Sequence, residues 1–202
     1  MNNFKTTGLL TTRNMVRISI LALIGAVLTI VNFTIPVFFP PFLSIDIGDV
    51  PSVVGTVTMG PLAGVLIQLI KNLVKFVVDT STAGVGEFAN FIIGVSYILP
   101  FAFFYKLWPG GKGFLIGAVA GTLGMMIVGA FSNYFIFVPF YAGLFGGMDV
   151  ILGIASAVNV YITDLFTLVV IGITPFNLLK GSLTSIVAYA VYRTLKPFLS
   201  KM

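Results

Sequence analysis

The chain has 202 residues, of which 58% are hydrophobic and 8% charged, with a formal net charge of +5. Soluble domains carry about 25% charged residues, and a fold of this size has no interior large enough to hide the deficit, so the sequence is that of an integral membrane protein. It contains neither cysteine nor histidine, which excludes disulfides and thiolate chemistry and removes the commonest general base and metal ligand.

Lipid-facing irregular backbone is excluded from the hydrocarbon, so the spans are helices or a closed barrel. The apolar runs are long and unalternating, which points to helices. The polar start "MNNFKTTGLLTTRNMVR" precedes a run too long for a signal-peptide core and without a convincing small-residue cleavage site; the first run is expected to be a retained span, over residues 15–38, ended by Pro36, Pro40 and Pro41. The next charge-free stretch, 50–70, is broken at Gly60-Pro61, and proline favours a first helical position, so it divides into a short helix at 49–59 and a second at 61–78. "DTSTAGVGE" reads as a loop by its Gly, Ser and Thr content. A fourth helix over 87–106 leads to the tight turn "KLWPGGKG". Residues 114–148 carry no charge; Pro139 and "GLFGG" suggest a helix over 114–138 followed by a long outer loop, in part helical, at about 140–174. The last helix is expected at 175–195. The whole is a single membrane domain, all-α, with six transmembrane helices.

Positive charge sets the expected orientation. Lys5, Arg13 and Arg17 precede the first helix, Lys106 and Lys112 flank the fourth turn, and Arg193, Lys196 and Lys201 close the chain. Six spans put all of them on one side, with both termini cytoplasmic and Asp46, Asp49, Asp79, Glu87 and Asp149 at or near the other face. A seventh span would send the C-terminal cluster outside. No inverted repeat of the kind that builds many secondary transporters is visible. The "GGKG" turn lacks the spacing and the Ser or Thr of a P-loop, so the chain has no ATPase motif.

Polar groups at depth are costly and usually functional. Lys71 falls roughly 15 Å along the third helix at 1.5 Å per residue, so it faces inward. Lys75, a turn further out, reads as a snorkelling interfacial partner of Asp79. "TPFNLLKG" puts Asn177 and Lys180 at i, i+3 on the outer part of the last helix, with Asn133 of "FSNYFIF" and Asn90 on neighbouring helices. Asparagines also tie helices together in membranes, but beside Lys180 they suggest an outward pocket for a flat, neutral ligand rich in carbonyl acceptors. Phe38, Phe39, Phe42, Tyr134, Phe137, Phe140 and Tyr141 would cluster at the outer face, as an aromatic belt also requires. Small residues at i, i+4 recur at Ala22/Ala26, Gly60/Gly64 and Gly117/Gly121, a spacing that lets helices approach closely.

The blocks "FLSIDIGDVPSVVG", "MGPLAGVLIQLIKNL", "GVGEFANFIIG", "SNYF" and "PFNLLKG" together make the chain, from about Ala22 to Leu195, resemble the riboflavin-specific substrate-binding (S) components of energy-coupling factor (ECF) transporters. The resemblance implies six helices and a loop after the first helix that closes over the vitamin, with Leu43 to Asp46 as the cap. It also implies ligand contacts at Asn133, Asn177 and Lys180, and an Ala22/Ala26 face that meets a membrane coupling subunit bound to two ABC ATPases. The setting would be the plasma membrane of a prokaryote, as a multi-pass protein. The expected substrate-binding set is therefore Leu43, Asp46, Asn90, Asn133, Asn177 and Lys180, with Ala22 and Ala26 for partner coupling. Riboflavin is cargo able to copurify, with FMN a further candidate; no cofactor, metal or catalytic residue is expected, and no nucleic-acid partner. The rivals are an S component for another vitamin and a small enzyme acting on lipid head groups through Asp46, Asp49 and Glu87, since clustered aspartates can hold Mg²⁺ with substrate phosphates. A proton- or voltage-driven carrier is disfavoured by the missing repeats and histidines. Binding alone cannot pump, so a partner must supply the work.

Overall fold

The structure is a computed structural model that describes residues 11–199. The expected basic residues Lys5 and Lys201 lie outside them. Helix α1 (Thr12–Ile30) is capped by the Thr11 hydroxyl and leads to a two-stranded antiparallel ribbon, β1 (Phe33–Thr34) and β2 (Ser44–Ile45), with Phe33 opposite Ile45. Then follow α2 (Val50–Met59), α3 (Pro61–Val78), α4 (Val85–Leu107) and α5 (Gly111–Ser132). A π-helical turn at Asn133–Phe137 joins α5 to α6 (Val138–Leu144). Helices α7 (Met148–Val158) and α8 (Leu165–Thr167) come next, and a second π-helical segment at Leu168–Ile173 runs on into α9 (Thr174–Leu199).

Among the described residues, five helical stretches are long and apolar enough to cross a membrane: Thr12–Ile30, Pro61–Val78, Val85–Leu107, Gly111–Leu144 and Leu165–Leu195. Their outward faces carry Leu23, Val77, Phe103, Val119, Phe131 and Ile186, all exposed, as a lipid solvent allows. The ten residues of α2 reach only about 15 Å at 1.5 Å per residue, half the hydrocarbon thickness. Gly60 permits this short return, since its φ of 100° is costly for any side chain.

Several boundaries differ from the sequence expectation. Helix α1 ends at Ile30 rather than near residue 38, because the chain turns into the ribbon well before its prolines. Helix α6 passes through Pro139 to Leu144; the widened π turn ahead of the proline takes up its ring and its missing N–H. Much of the span 140–174 is helical rather than a long loop. Its apolar residues Ile151, Ala155, Ile162 and Leu168 bury against Val138, Ala142 and Ile173, a gain no exposed loop would have. Asp164 starts the final helical run ten residues before Thr174, in a reciprocal capping box with Thr167. The backbone N–H and hydroxyl of Thr167 hold its carboxyl below the usual carboxylate range. Pro175 is then carried inside the run, and the Thr174 hydroxyl donates to Val169 O at 2.9 Å, the same carbonyl that accepts the Thr174 backbone N–H in the π register.

Close packing fixes the frame. A Cβ at Gly117 would lie 2.7 Å from Phe101 O, and one at Gly121 2.8 Å from Tyr97 O, so these glycines bring α5 onto the backbone of α4. Tyr97, Phe101, Phe114, Met125, Ala188 and Tyr192 form the core at one end of the bundle. The α4–α5 turn and the C-terminal part of α9 meet there, Tyr105 packing edge-on against Tyr192 at 6.2 Å. At the opposite end, between the ribbon, α3, α4, α6, α7 and α9, the helices part around a cavity.

Ala22 and Ala26 are fully buried, where the resemblance implied a face turned to a partner. Ala22 packs with Ile18, Ala63 and Ile67, so the small residues seat α1 on α3 within this chain and present no free surface to a partner. The same spacing serves either purpose, and here the chain's own third helix takes it.

Candidate ligand-binding site

The cavity has a volume of about 740 Å³, inside the range of about 300–1,000 Å³ typical of small-molecule sites. Leu43, Asp46, Asn90, Asn133, Asn177 and Lys180 all line it, although they come from the ribbon region, α4, the π turn after α5, and α9. Apolar wall is supplied by Ile93, Val138, Ile151, Ile173 and Phe176.

The segment 41–49 closes one side. Asp46 is buried, and its Oδ1 accepts from Gly48 N at 2.8 Å and from the Thr29 hydroxyl at 3.4 Å. Its Oδ2 accepts from Lys180 Nζ at 2.8 Å, so a carboxylate of the loop and an ammonium 134 positions later clamp the loop across the cavity. Phe39 adds an edge-to-face contact with Phe176, ring centroids 5.5 Å apart. Gly48 is needed for this path, since a Cβ there would lie 2.7 Å from Gly25 O.

Lys180 has three N–H groups. One goes to Asp46 and one to Asn90 Oδ1 at 3.0 Å. Asp49 Oδ2 stands 3.9 Å away, beyond hydrogen-bond range, which leaves the third donor for a ligand acceptor. One turn back, the Asn177 Nδ2 is buried with no hydrogen-bond partner among the described residues. A Cβ at Gly129 would collide with that amide, so the glycine makes its room. Asn133 donates one amide hydrogen to Gly129 O at 2.8 Å and keeps its carbonyl oxygen as an acceptor. Asn133, Asn177 and Lys180 thus stand together in the cavity lining, which also carries the apolar side chains named above.

A second polar layer extends from Asn90. Its Nδ2 donates to Asn72 Oδ1 at 3.2 Å, and Asn72 Nδ2 donates to Gln68 O at 2.8 Å. Gln68 Nε2 donates to Asp49 Oδ1 at 2.8 Å, and Lys71 pairs with the same carboxylate. Lys71 is fully buried and does not line the cavity; its role is to neutralise Asp49. Asp49 precedes α2 but makes no side-chain cap bond, having turned inward.

Thr29, Asn32, Lys75, Glu87 and Tyr141 also line the cavity and were not anticipated as ligand neighbours. Lys75 donates to Asp79 O at 3.1 Å and stands 3.8 Å from the Asp79 carboxylate, as its spacing suggests, but the Glu87 carboxylate is nearer, at 3.3 Å. The i, i+3 placement of Glu87 and Asn90 on α4 was the available signal. The lipid-head-group reading loses its footing, because Asp46, Asp49 and Glu87 each face a lysine, and among the described residues no three acidic side chains gather where they could hold a metal ion.

Residues 13–192 match the family model "ECF transporter, substrate-specific component". The chain is 36% identical over its full length, and that of the relative, to a protein named riboflavin transporter RibU from Staphylococcus aureus. It is 34% identical to riboflavin transporter FmnP from Bacillus subtilis, over 94% of this chain and 95% of the relative. Its fold is similar to a solved structure of the S component of a bacterial ECF transporter, with a TM-score of 0.73 and 36% identity over 93% of this chain and 97% of that one. The chain therefore belongs to the substrate-specific components of ECF transporters.

Proposed function

We propose that this chain is the riboflavin-binding membrane subunit of an ECF uptake transporter. The observation that carries the reading is the spare N–H of Lys180 beside Asn133 and Asn177, all in the lining of an otherwise largely apolar cavity. A flavin ring is flat and neutral, and it carries carbonyl oxygens and ring nitrogens along one edge. Binding it would satisfy those donors and remove much apolar area from water, at about 25 cal/mol per Å². Such a combination reaches nanomolar affinity, about −12 kcal/mol.

In this reading the chain crosses the membrane six times, α2 counting as a short span, with its basic end in the cytoplasm and its cavity opening outward. Arg13 and Arg17 at the start of α1, Lys106 and Lys112 at the α4–α5 turn, and Arg193 near the end of α9 support that orientation. The cup binds and a membrane coupling subunit with two ATPases supplies the work. The setting is the plasma membrane of a prokaryote.

The test is the absorption spectrum of the chain purified in mild detergent from flavin-replete cells. A yellow preparation that releases riboflavin on denaturation is expected. A colourless preparation that stays colourless after incubation with riboflavin and gel filtration would refute the assignment.

A further inference from the structure

The mouth of the cavity has a charge balance that bears on which flavin it takes, an inference that rests on the riboflavin reading above. Five formally charged side chains line the cavity: Asp46, Asp79 and Glu87 against Lys75 and Lys180. Lys180 is committed to Asp46, and Lys75 is shared between Glu87 and Asp79. Among the described lining residues no cation is left over for an incoming anion.

Glu87 is the most built-in of the acids. It is buried in the first turn of α4, one turn nearer the mouth than Asn90. Its Oε1 faces Lys75 Nζ at 3.3 Å, and its Oε2 accepts from the hydroxyls of Thr80 at 3.2 Å and Thr82 at 3.1 Å. Those hydroxyls in turn accept from the backbone N–H groups of Gly84 at 3.2 Å and Gly86 at 3.0 Å. A helix start with two hydroxyls that its N–H groups polarise, and a lysine beside them, is an arrangement that otherwise suits phosphate. Here the chain's own carboxylate already occupies it. A carboxylate has about four acceptor sites, and three are used, so one remains for a neutral hydroxyl donor.

We propose that Glu87 is the specificity-determining residue of this pocket: it accepts from a hydroxyl of the ribityl tail and repels the phosphoryl group of flavin mononucleotide, so the chain takes the unphosphorylated vitamin. A phosphate monoester carries a charge of about −1.5 to −2 at pH 7. With its tail at the mouth it would face Glu87 and Asp79 without a free counter-charge.

The experiment measures dissociation constants for riboflavin and flavin mononucleotide on the detergent-purified full chain, wild type and Glu87→Gln, by quenching of flavin fluorescence. The wild type is expected to prefer riboflavin by at least about tenfold, and E87Q to shrink that ratio by about tenfold, a modest share of the repulsion between charges a few ångström apart. Asp79→Asn, at a more exposed site of the same mouth, should shrink it by a smaller factor, and it decides the matter if E87Q does not fold. Equal affinities in the wild type, or a ratio that neither substitution moves, would overturn the inference while leaving the riboflavin assignment standing. Failure of the wild type to bind riboflavin at all would overturn both.

Discussion

Lys71 and Lys180 are both buried ammonium groups on membrane helices, and both are paired with an aspartate of the segment between β2 and α2. The first is sealed. Its neighbours are Asp49 and the close junction where Gly25 meets Gly48 O, and no part of it reaches the cavity. The second stands on the cavity wall with two of its three donors used. Burying a charge is costly in both places. At Lys71 the pair is closed off from the cavity, so it holds α2 to α3; at Lys180 the ammonium stands on the cavity wall with a donor to spare, so it can hold a ligand.

The largest expected effect breaks the sealed pair. Lys71→Ala leaves Asp49 buried opposite a cavity and should cost about 3–5 kcal/mol of stability, read as a fall in melting temperature of the ligand-free protein in detergent. Combining Lys71→Met with Asp49→Asn should recover most of it. A melting temperature unchanged by K71A would show that the pair is not structural. Lys180→Ala should act on the other side of the comparison, weakening riboflavin binding by about 2–3 kcal/mol, roughly 30- to 150-fold, in a titration. An unchanged dissociation constant would move the site away from α9.

Smaller effects sharpen the contrast. Ala22→Leu should destabilise the fold by about 1–3 kcal/mol through overpacking against Ala63 and Ile67, measured by thermal unfolding; a neutral outcome would return this face to the surface. Asn177→Leu replaces a donor without a hydrogen-bond partner among the described residues. It should leave unliganded stability equal or higher while weakening riboflavin binding by about 1 kcal/mol. A loss of stability with full affinity would mean the amide serves the fold.

The helical membrane character was legible because charge-free runs and their flanking lysines and arginines are local signals. The second half of the cavity wall was not, since a π turn lets a helix run through Pro139 and past Pro175, and nothing in those residues announces the change of register. The polar site was legible only in part. Asn177 and Lys180 share a visible i, i+3 face, but the clamp between Asp46 and Lys180 joins residues distant in sequence, and a role for Asp46 came from resemblance to a family. Lys71 gave a clear sign of burial without its partner, because Asp49 stands 22 positions earlier in the chain and no local spacing ties the two. The burial of Ala22 and Ala26 was not legible for a plain reason: small residues at i, i+4 look the same whether the helix they admit belongs to this chain or another.

The most direct test of the account is a calorimetric titration of riboflavin into the ligand-free, detergent-purified chain. A single saturable site per chain with a dissociation constant in the nanomolar range is expected. Binding that is only millimolar, or that never saturates, would contradict a cavity built to complete the donors of Asn177 and Lys180 with a flavin.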